Sequence, residues 1–407
     1  MRVVVVGSGG REHALAYTLG RTAEVVVSPG NPGIPGSTPV PAEELEADLF
    51  VVGPEAPLVD GLGDRLRAQG KQVFGPSADG ARLEGSKAWM KEVLVEAAVP
   101  TARYGTFTEP EPAFAFLETL GGLYVVKTDG LAAGKGVVVT DSIADARDVV
   151  LSYLSGEAFG SAGETVVIEE GLTGPELSVL AVCDGRSAVA LAPARDFKRA
   201  YDGDVGPNTG GMGAYSPVPA ATNDVVEHVM ETSVRPTLAA LARRGIDYRG
   251  VLYAGLMLTP DGVKILEYNA RFGDPEAQVV LPRVTSDLAE LLLGAAGGRL
   301  PDQGVEFDEA AAVTVVCATE GYPQSPRTGD AIKGVEEVRD LDGVTVFCAG
   351  VAADDDGLVT AGGRVLAVTG QGPTLEDART SAYEGVATLS WPGMHYRTDI
   401  AAKEESA

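Results

Sequence analysis

Glu267 and Asn269 stand two residues apart in Leu266-Glu267-Tyr268-Asn269, a run that reads as a β-strand, so their oxygens project from one face. Hard oxygen donors in that arrangement suit Mg²⁺, which takes one or two carboxylates, adds substrate phosphates and keeps waters. Arg271 continues the same side, a fork for phosphate or carboxylate, and leads into Phe272-Gly273-Asp274-Pro275-Glu276. A polar face on an antiparallel sheet would show the same alternation. The preceding strand, Val251 to Thr259, carries no acid and so offers no second carboxylate.

Lys127-Thr128-Asp129-Gly130-Leu131-Ala132-Ala133-Gly134-Lys135-Gly136-Val137 ends one strand on a lysine and enters the next through small residues and a second lysine. Small residues let a backbone close over a polyphosphate that two ammoniums neutralise. The Gly-Lys-Ser/Thr of a Walker A loop is absent. Only nine of the 32 basic residues are lysines, and Lys87, Lys127, Lys135 and Lys198 all fall in runs of this kind. Glu169-Glu170-Gly171-Leu172, with Glu176 shortly after, ends another strand. The pattern fits a hinge for adenine and ribose, or plain solvated glutamates. Asp196-Phe197-Lys198-Arg199 through Asn208-Thr209-Gly210-Gly211-Met212-Gly213 fits a lid, a substrate loop or a surface excursion. Gly7-Ser8-Gly9-Gly10-Arg11-Glu12 fits a phosphate site on helix amides or an ordinary tight turn. Glu12 stands where a dinucleotide fingerprint needs its third glycine, so nothing here specifies a nicotinamide cofactor.

The elements that carry these runs fall into three parts. Val3 to Val6, Leu49 to Val52 and Val73-Phe74 read as buried parallel strands, with helices from Arg11 and over Leu58 to Gln69. A doubly wound sheet follows, with ligands at the carboxyl ends of its strands. From about Pro100 the pattern is α+β. Val125 to Lys127, Gly136 to Thr140 and Thr165 to Glu169 read as strands, and Ser142-Ile143-Ala144-Asp145 caps a helix to about Leu154. Arg195 to Ser216 reads as a long polar loop, Thr222 to Arg244 as a helix kinked or restarted at Pro236, and Val251 to Leu258 with Val263 to Asn269 as a hairpin. After Phe307 come short strands, glycine turns and one helix from near Thr374. The expected domains are 1–90, 91–305 with a mobile lid at about 115–180, and 306–407.

Composition narrows the function. The chain has 407 residues, 45 % hydrophobic and 22 % charged, with a net charge of −26, which suits a globular protein of two or three domains. That charge argues against a nucleic-acid partner. An acidic, lysine-poor surface also suits salty solution. No apolar run approaches the ~20 residues of a membrane helix, and Val3 to Val6 is too short for a secretory core. Three scattered cysteines without a C-x-x-C argue against disulfides and structural zinc and for a reducing cytoplasm. Three separated histidines leave the chemistry to carboxylates, lysines and arginines.

Gly9-Gly10-Arg11-Glu12-His13-Ala14, Pro29-Gly30-Asn31, Gly53-Pro54-Glu55-Ala56-Pro57-Leu58, Leu83-Glu84-Gly85-Ser86-Lys87, the Gly-Leu-Ala-Ala-Gly-Lys-Gly loop, Pro207 to Gly213, Asn269 to Glu276 and Gly362-Gly363-Arg364-Val365 occur in one order along the whole chain. In that order they resemble the phosphoribosylamine–glycine ligases of the ATP-grasp superfamily. The resemblance implies a pre-ATP-grasp sheet, an ATP-grasp domain and a small β-rich, barrel-like domain. It implies that ATP phosphorylates the glycine carboxylate and that 5-phospho-β-D-ribosylamine displaces phosphate. By resemblance Lys87, Lys127, Gly134, Lys135, Gly136, Glu169, Glu170, Leu172, Glu176 and Met257 bind ATP, and Glu267 and Asn269 hold Mg²⁺ or Mn²⁺. Gly9, Gly10, Arg11, Asn31, Glu55, Pro57, Asn208, Gly210, Gly211 and Arg271 surround the other substrates. Lys135, Asp196, Lys198 and Arg271 serve the transfer. A cytoplasmic monomer, with an upstream purine-synthesis enzyme as channelling partner, completes the picture. The stretch Gly33 to Val52 is a helix shorter than the family's, and Phe197 stands where histidine or another aromatic is common. Another ATP-grasp carboxylate–amine ligase and an inactive nucleotide-binding regulator are the rival readings. Retention of Lys135, Glu267, Asn269 and Arg271 together counts against the second.

Overall fold

The valines of the first strand are buried on both faces, and that dictates the layering of the N-terminal part. In the computed structural model, which describes residues 1–131, 136–156, 163–301 and 304–402, Arg2–Gly7 lies inside a parallel sheet. The strand order is Glu24–Pro29, Arg2–Gly7, Leu49–Val52, Val73–Phe74. Val3 and Val5 enter the main core, whereas Val4 and Val6 pack with Leu58, Leu62 and Leu66 on the other side. β-Branched runs without polar alternation are what two-sided burial requires. The helix expected over Leu58 to Gln69 is two helices, Glu55–Val59 and Leu62–Ala68, because Gly61 between them adopts φ +78°. Between Glu24–Pro29 and Leu49–Val52 only a 3₁₀ turn, Ala42–Glu44, is formed, so this crossover lacks an α-helix.

The next part holds two antiparallel sheets. The smaller runs Tyr104–Phe107, Val166–Glu170, Tyr124–Thr128, Val137–Thr140, and carries the helices Pro110–Leu117 and Ile143–Leu154 over a core of its own. It runs from Tyr104 to Glu170, and Glu176–Asp184 belongs to the second sheet. That sheet runs Ala188–Ala190, Glu176–Asp184, Arg249–Thr259, Gly262–Asn269. The expected helix ahead of it forms as Asn223–Val229 and Arg235–Arg243 joined by a π-helical turn, Met230–Val234. Pro236, which has no N–H to give, sits in the first turn after it.

The stretch Arg195 to Ser216, expected to be a loop, is mostly paired. Arg199–Tyr201 and Val205–Asn208 form a hairpin, while Arg195–Asp196 and Gly213–Ser216 join a five-stranded sheet with three strands from far downstream. Its order is Arg195–Asp196, Gly213–Ser216, Ala311–Ala318, Arg364–Gly372, Val344–Cys348, with the helix Leu375–Thr388 against it. Every residue of Ala311–Ala318 is buried. A short helix, Val335–Arg339, and a hairpin of Val351–Asp354 with Gly357–Thr360 complete this β-rich part. Among the described residues no helix is long and apolar enough to cross a membrane.

His13 fastens the first part to the last. Its Nδ1 accepts the Cys348 N–H at 2.8 Å, and its ring meets Phe347 edge-on. Burial, then the nearby Arg339, pushes its pKa down to about 4. The unfolded chain therefore takes up this proton near pH 6.5, before the folded chain does. His13 stabilises the fold fully above that pH and loses up to about 3 kcal/mol as the pH falls to 4. In His13→Asn, which keeps an acceptor but cannot titrate, urea unfolding between pH 7 and 4 should show a correspondingly flatter fall in stability.

Candidate active site

The face of Gly262–Asn269 decides what this region can hold. A bulge lies between its pairings Gly255↔Glu267 and Leu256↔Ile265, leaving Leu266 out of register with the opposite strand. The Leu266 carbonyl accepts from Lys127 Nζ at 3.1 Å. Glu267 stands over Gly255, where a Cβ would come within 3.2 Å of Glu267 Cγ, so glycine there leaves the carboxylate its room. Among the described residues neither the Glu267 carboxylate nor the Asn269 amide has a hydrogen-bond or ion-pair partner. Two half-buried oxygen donors left unpartnered fit a divalent cation that draws its other ligands from phosphate and water. No described group of three acidic, histidine or cysteine residues competes for that role.

Lysines gather beside this pair. Glu169 is 2 % exposed and lies between Lys127, at 2.8 Å, and Lys91, at 3.0 Å. Burial outranks the acidic partners in shaping Lys91, whose pKa falls to about 8, while the two lysines hold Glu169 below the usual carboxylate range. Lys91 Nζ also donates to Thr101 Oγ1, which donates to the Ile265 carbonyl. Lys87 donates to the Gly130 carbonyl at 3.0 Å and is held down by burial, with Glu267 and Lys127 its leading charged neighbours. Gly136 closes the hairpin by accepting the Thr128 N–H, and the expected Gly134 and Lys135 lie outside the described residues. Glu170 departs from expectation in one respect. Strand alternation turns its side chain away from Glu169, and its Oε1 accepts the Arg103 N–H at 2.9 Å. It also lies 3.7 Å from Lys264 Nζ. Leu172 is half-buried, and Met257 is buried opposite Glu176.

Glu176 meets the residues expected at the transfer. Lys198 Nζ lies 2.5 Å from Glu176 and 2.9 Å from Asp196 Oδ1. The two carboxylates hold Lys198 protonated well above its ordinary range, and burial raises Asp196. Beside them Tyr253 donates to Glu276 at 2.5 Å, and burial followed by Asp196 pushes Glu276 up to about 7.

The N-terminal part closes the other side. Arg271 spans Glu55, at 3.1 Å, and Glu84, at 2.7 Å, and Arg11 approaches Glu55 at 3.8 Å. Arg271 is thus a fork on carboxylates of the first domain and stays strongly protonated. Pro57 is half-buried behind Glu55. The helix N-terminus here is already occupied by the protein's own acid. Glu12 accepts the Gly9 N–H and the Arg11 Nε–H, both at 2.6 Å, and fills the space between Gly7 and Gly53. That accounts for glutamate at the third-glycine position and leaves no berth for a dinucleotide pyrophosphate. Asn31 is similarly engaged, donating to the Ser8 and Ala349 carbonyls and accepting from Gly33. A cleft of about 510 Å³ opens beside it, lined by Ser8, Gly30, Pro32 and residues from Ala349 to Ala353. Gly10 packs on Gln278. Arg364 pairs with Asp274 at 2.8 Å and also donates to the Gly210 and Gly211 carbonyls, and Asn208 ends the neighbouring hairpin.

The family models of phosphoribosylglycinamide synthetase match in sequence order: the N domain at residues 1–84, the ATP-grasp domain at 85–277 and the C domain at 312–403. The chain belongs to the phosphoribosylglycinamide synthetase family. It is 49 % identical to a phosphoribosylamine–glycine ligase of Streptomyces coelicolor over the full length of both chains. It is 46 % identical to that of Escherichia coli K12 over 98 % of each. The crystal structure of a phosphoribosylamine–glycine ligase from Thermotoga maritima superposes with a TM-score of 0.87 at 37 % identity, covering 98 % of this chain and all of that one. Biotin carboxylase from Campylobacter jejuni, at 14 % identity and a TM-score of 0.72 over 97 % of this chain and 92 % of that one, shares the fold alone.

Sequence reading missed Lys91, Tyr253 and the part played by Glu84. Lys91 lies four residues after Lys87 on one helix, Lys87–Glu96, which is the spacing that shares a face. Removing its partner strands buried charge. Glu169→Gln should cost about 3–5 kcal/mol in urea unfolding, and Lys91→Met less, because Lys127 still pairs with Glu169. Titration with ATP should show weaker binding in both.

Proposed function

We propose that this chain ligates glycine to 5-phospho-β-D-ribosylamine with ATP, giving N1-(5-phosphoribosyl)glycinamide, ADP and phosphate. The observation that carries the reading is the pair Glu267 and Asn269, without a partner among the described residues, with the Lys87 and Lys127 ammoniums nearby and Arg271, held by Glu55 and Glu84, two residues further on. Family membership and the ligase names of relatives aligned over nearly the whole chain support it.

Glycine gains a leaving group when its carboxylate oxygen takes the terminal phosphoryl of ATP. Lys87 and Lys127 sit where they steady the polyphosphate, and Glu267 and Asn269 would hold Mg²⁺, with Mn²⁺ a substitute. That ion, when bound, withdraws charge from the phosphates. Lys198, fixed by Glu176 and Asp196, presents a permanent cation toward the acyl phosphate. Arg271 ties the amine site to the metal face by gripping Glu55. The amine of phosphoribosylamine then attacks the glycyl carbonyl, forming the amide bond and releasing phosphate. Cations fixed before reaction lower the cost of that developing charge. The roles given to Lys135 and to a lid over the nucleotide follow from the resemblance, as do a monomeric state, a cytoplasmic location and a channelling partner.

Glycine labelled with ¹⁸O in its carboxylate, incubated with ATP and phosphoribosylamine, should yield phosphate carrying one label and an amide that has lost one. Labelled AMP with pyrophosphate would replace this route by an adenylate. Glu267→Gln should lower kcat/KM by ~10²–10³ at an unchanged melting temperature, since it removes a ligand charge for the metal from a side chain with no hydrogen bond or ion pair to a described residue. ADP release against Mg²⁺ concentration, with thermal unfolding alongside, measures both.

A further inference from the structure

Among the described residues, the largest fully buried side chain is a charged one that the reaction as proposed does not use. Arg397, on the C-terminal segment, is 1 % exposed. Its guanidinium donates from Nε and Nη2 to both Asp399 oxygens at 2.7 Å, and from Nη1 to Asp204 at 2.6 Å and to the Arg199 carbonyl at 3.2 Å. Its Cζ also sits 5.0 Å from the centre of the Phe197 ring. Neighbouring contacts converge on the same hairpin. His395 Nε2 meets the Ala200 carbonyl at 2.8 Å, Asp202 accepts the Thr398 N–H at 2.8 Å, and Asp399 accepts the Gly203 N–H at 2.8 Å.

All of these grips fall on Phe197 and on the strand and turn that follow it, so they bracket Lys198 on both sides. At the hairpin's other end the Thr209 N–H and hydroxyl both donate to the Lys198 carbonyl. Nothing among the described residues of the C-terminal segment touches the Lys198 ammonium itself, which points to Glu176 and Asp196. Taking a guanidinium out of water is costly unless its fork is filled, and a bidentate carboxylate fills it with fixed geometry. The arrangement is therefore stiff and directional, unlike a surface ion pair.

We propose that Arg397 is a positioning residue for Lys198: locked to Asp399 and Asp204, it fixes the Phe197–Ala200 backbone so that the lysine ammonium is presented to the reacting phosphate. This rests on the reaction assigned above. Phe197 thereby has a place too, as the aromatic floor against which Arg397 lies.

The test compares Arg397→Met, Arg397→Lys and Asp204→Asn, each alone and with Lys198→Met, in the full-length chain. Glycine-dependent ADP release and amide hydrogen exchange are read in each. A misplacement of this kind costs on the order of 10- to 100-fold in kcat/KM for glycine. Arg397→Met should show that loss, Arg397→Lys a smaller one, and both should vanish in the Lys198→Met background. Exchange should quicken across residues 197–209 and stay unchanged in the strands Arg2–Gly7 and Leu49–Val52. Losses that add fully to that of Lys198→Met, or unaltered exchange in 197–209, would overturn the proposal. If Arg397→Met does not fold, Asp204→Asn, whose side chain is 62 % exposed, reads the same cycle with a smaller loss. A wild-type chain that releases no ADP with glycine would instead refute the reaction, while the exchange pattern still tells whether Arg397 holds the hairpin.

Discussion

A carboxylate that must not be left alone organises the nucleotide half of this molecule. Glu169 is out of water, and its charge persists there only because Lys91 and Lys127 meet it from two elements. Lys91 comes from the helix Lys87–Glu96 and Lys127 from a strand of the small sheet, so one pairing fixes the helix, the sheet and their separation. Lys127 also reaches the Leu266 carbonyl, which the bulge in Gly262–Asn269 turns toward it. The small sheet is thereby referenced to the strand that carries Glu267 and Asn269. Loosening any one member would shift the others. That coupling is what a site needs if phosphates and a divalent ion are to meet at fixed distances.

Much of this was legible in the chain because it depends on neighbours in sequence. Val3 to Val6 announces a two-sided strand, and Glu267 and Asn269 share a face by strand period alone. Legibility ends where partners lie far away. Arg271 reads as a fork awaiting an anion, yet its fork is filled by Glu55 and Glu84. Glu12 reads as a missing glycine, yet it caps its own helix from inside. Arg195 to Ser216 reads as a polar loop because the strand that pairs with Gly213–Ser216 is Ala311–Ala318, which lies about a quarter of the chain later. Gly61 shows the opposite failure, a local break hidden inside an otherwise periodic helix.

The three parts meet through charges and not through apolar contact alone. Arg11 and Glu55 come from the first, Arg271 and Asp274 from the second, and Arg364 from the third. Each cation is shared between parts. The Arg364 guanidinium, for instance, holds both Asp274 and the Gly210–Gly211 backbone. A junction of this kind fixes the polar faces of the three parts against one another, over an apolar core that they share.

The shared sheet has a consequence for how the chain comes into being. Synthesis runs from the N-terminus, and domains generally fold as they emerge. Gly213–Ser216 is made well before Ala311–Ala318, its neighbour in the finished sheet, and Arg364–Gly372 beyond that comes later still. Until then the strand Gly213–Ser216 presents an open hydrogen-bonding edge, the kind of surface that recruits other chains. The nascent protein cannot finish its middle third before Ala311–Ala318 has been made, and a message cut short after that third would release a sticky intermediate instead of a smaller working unit.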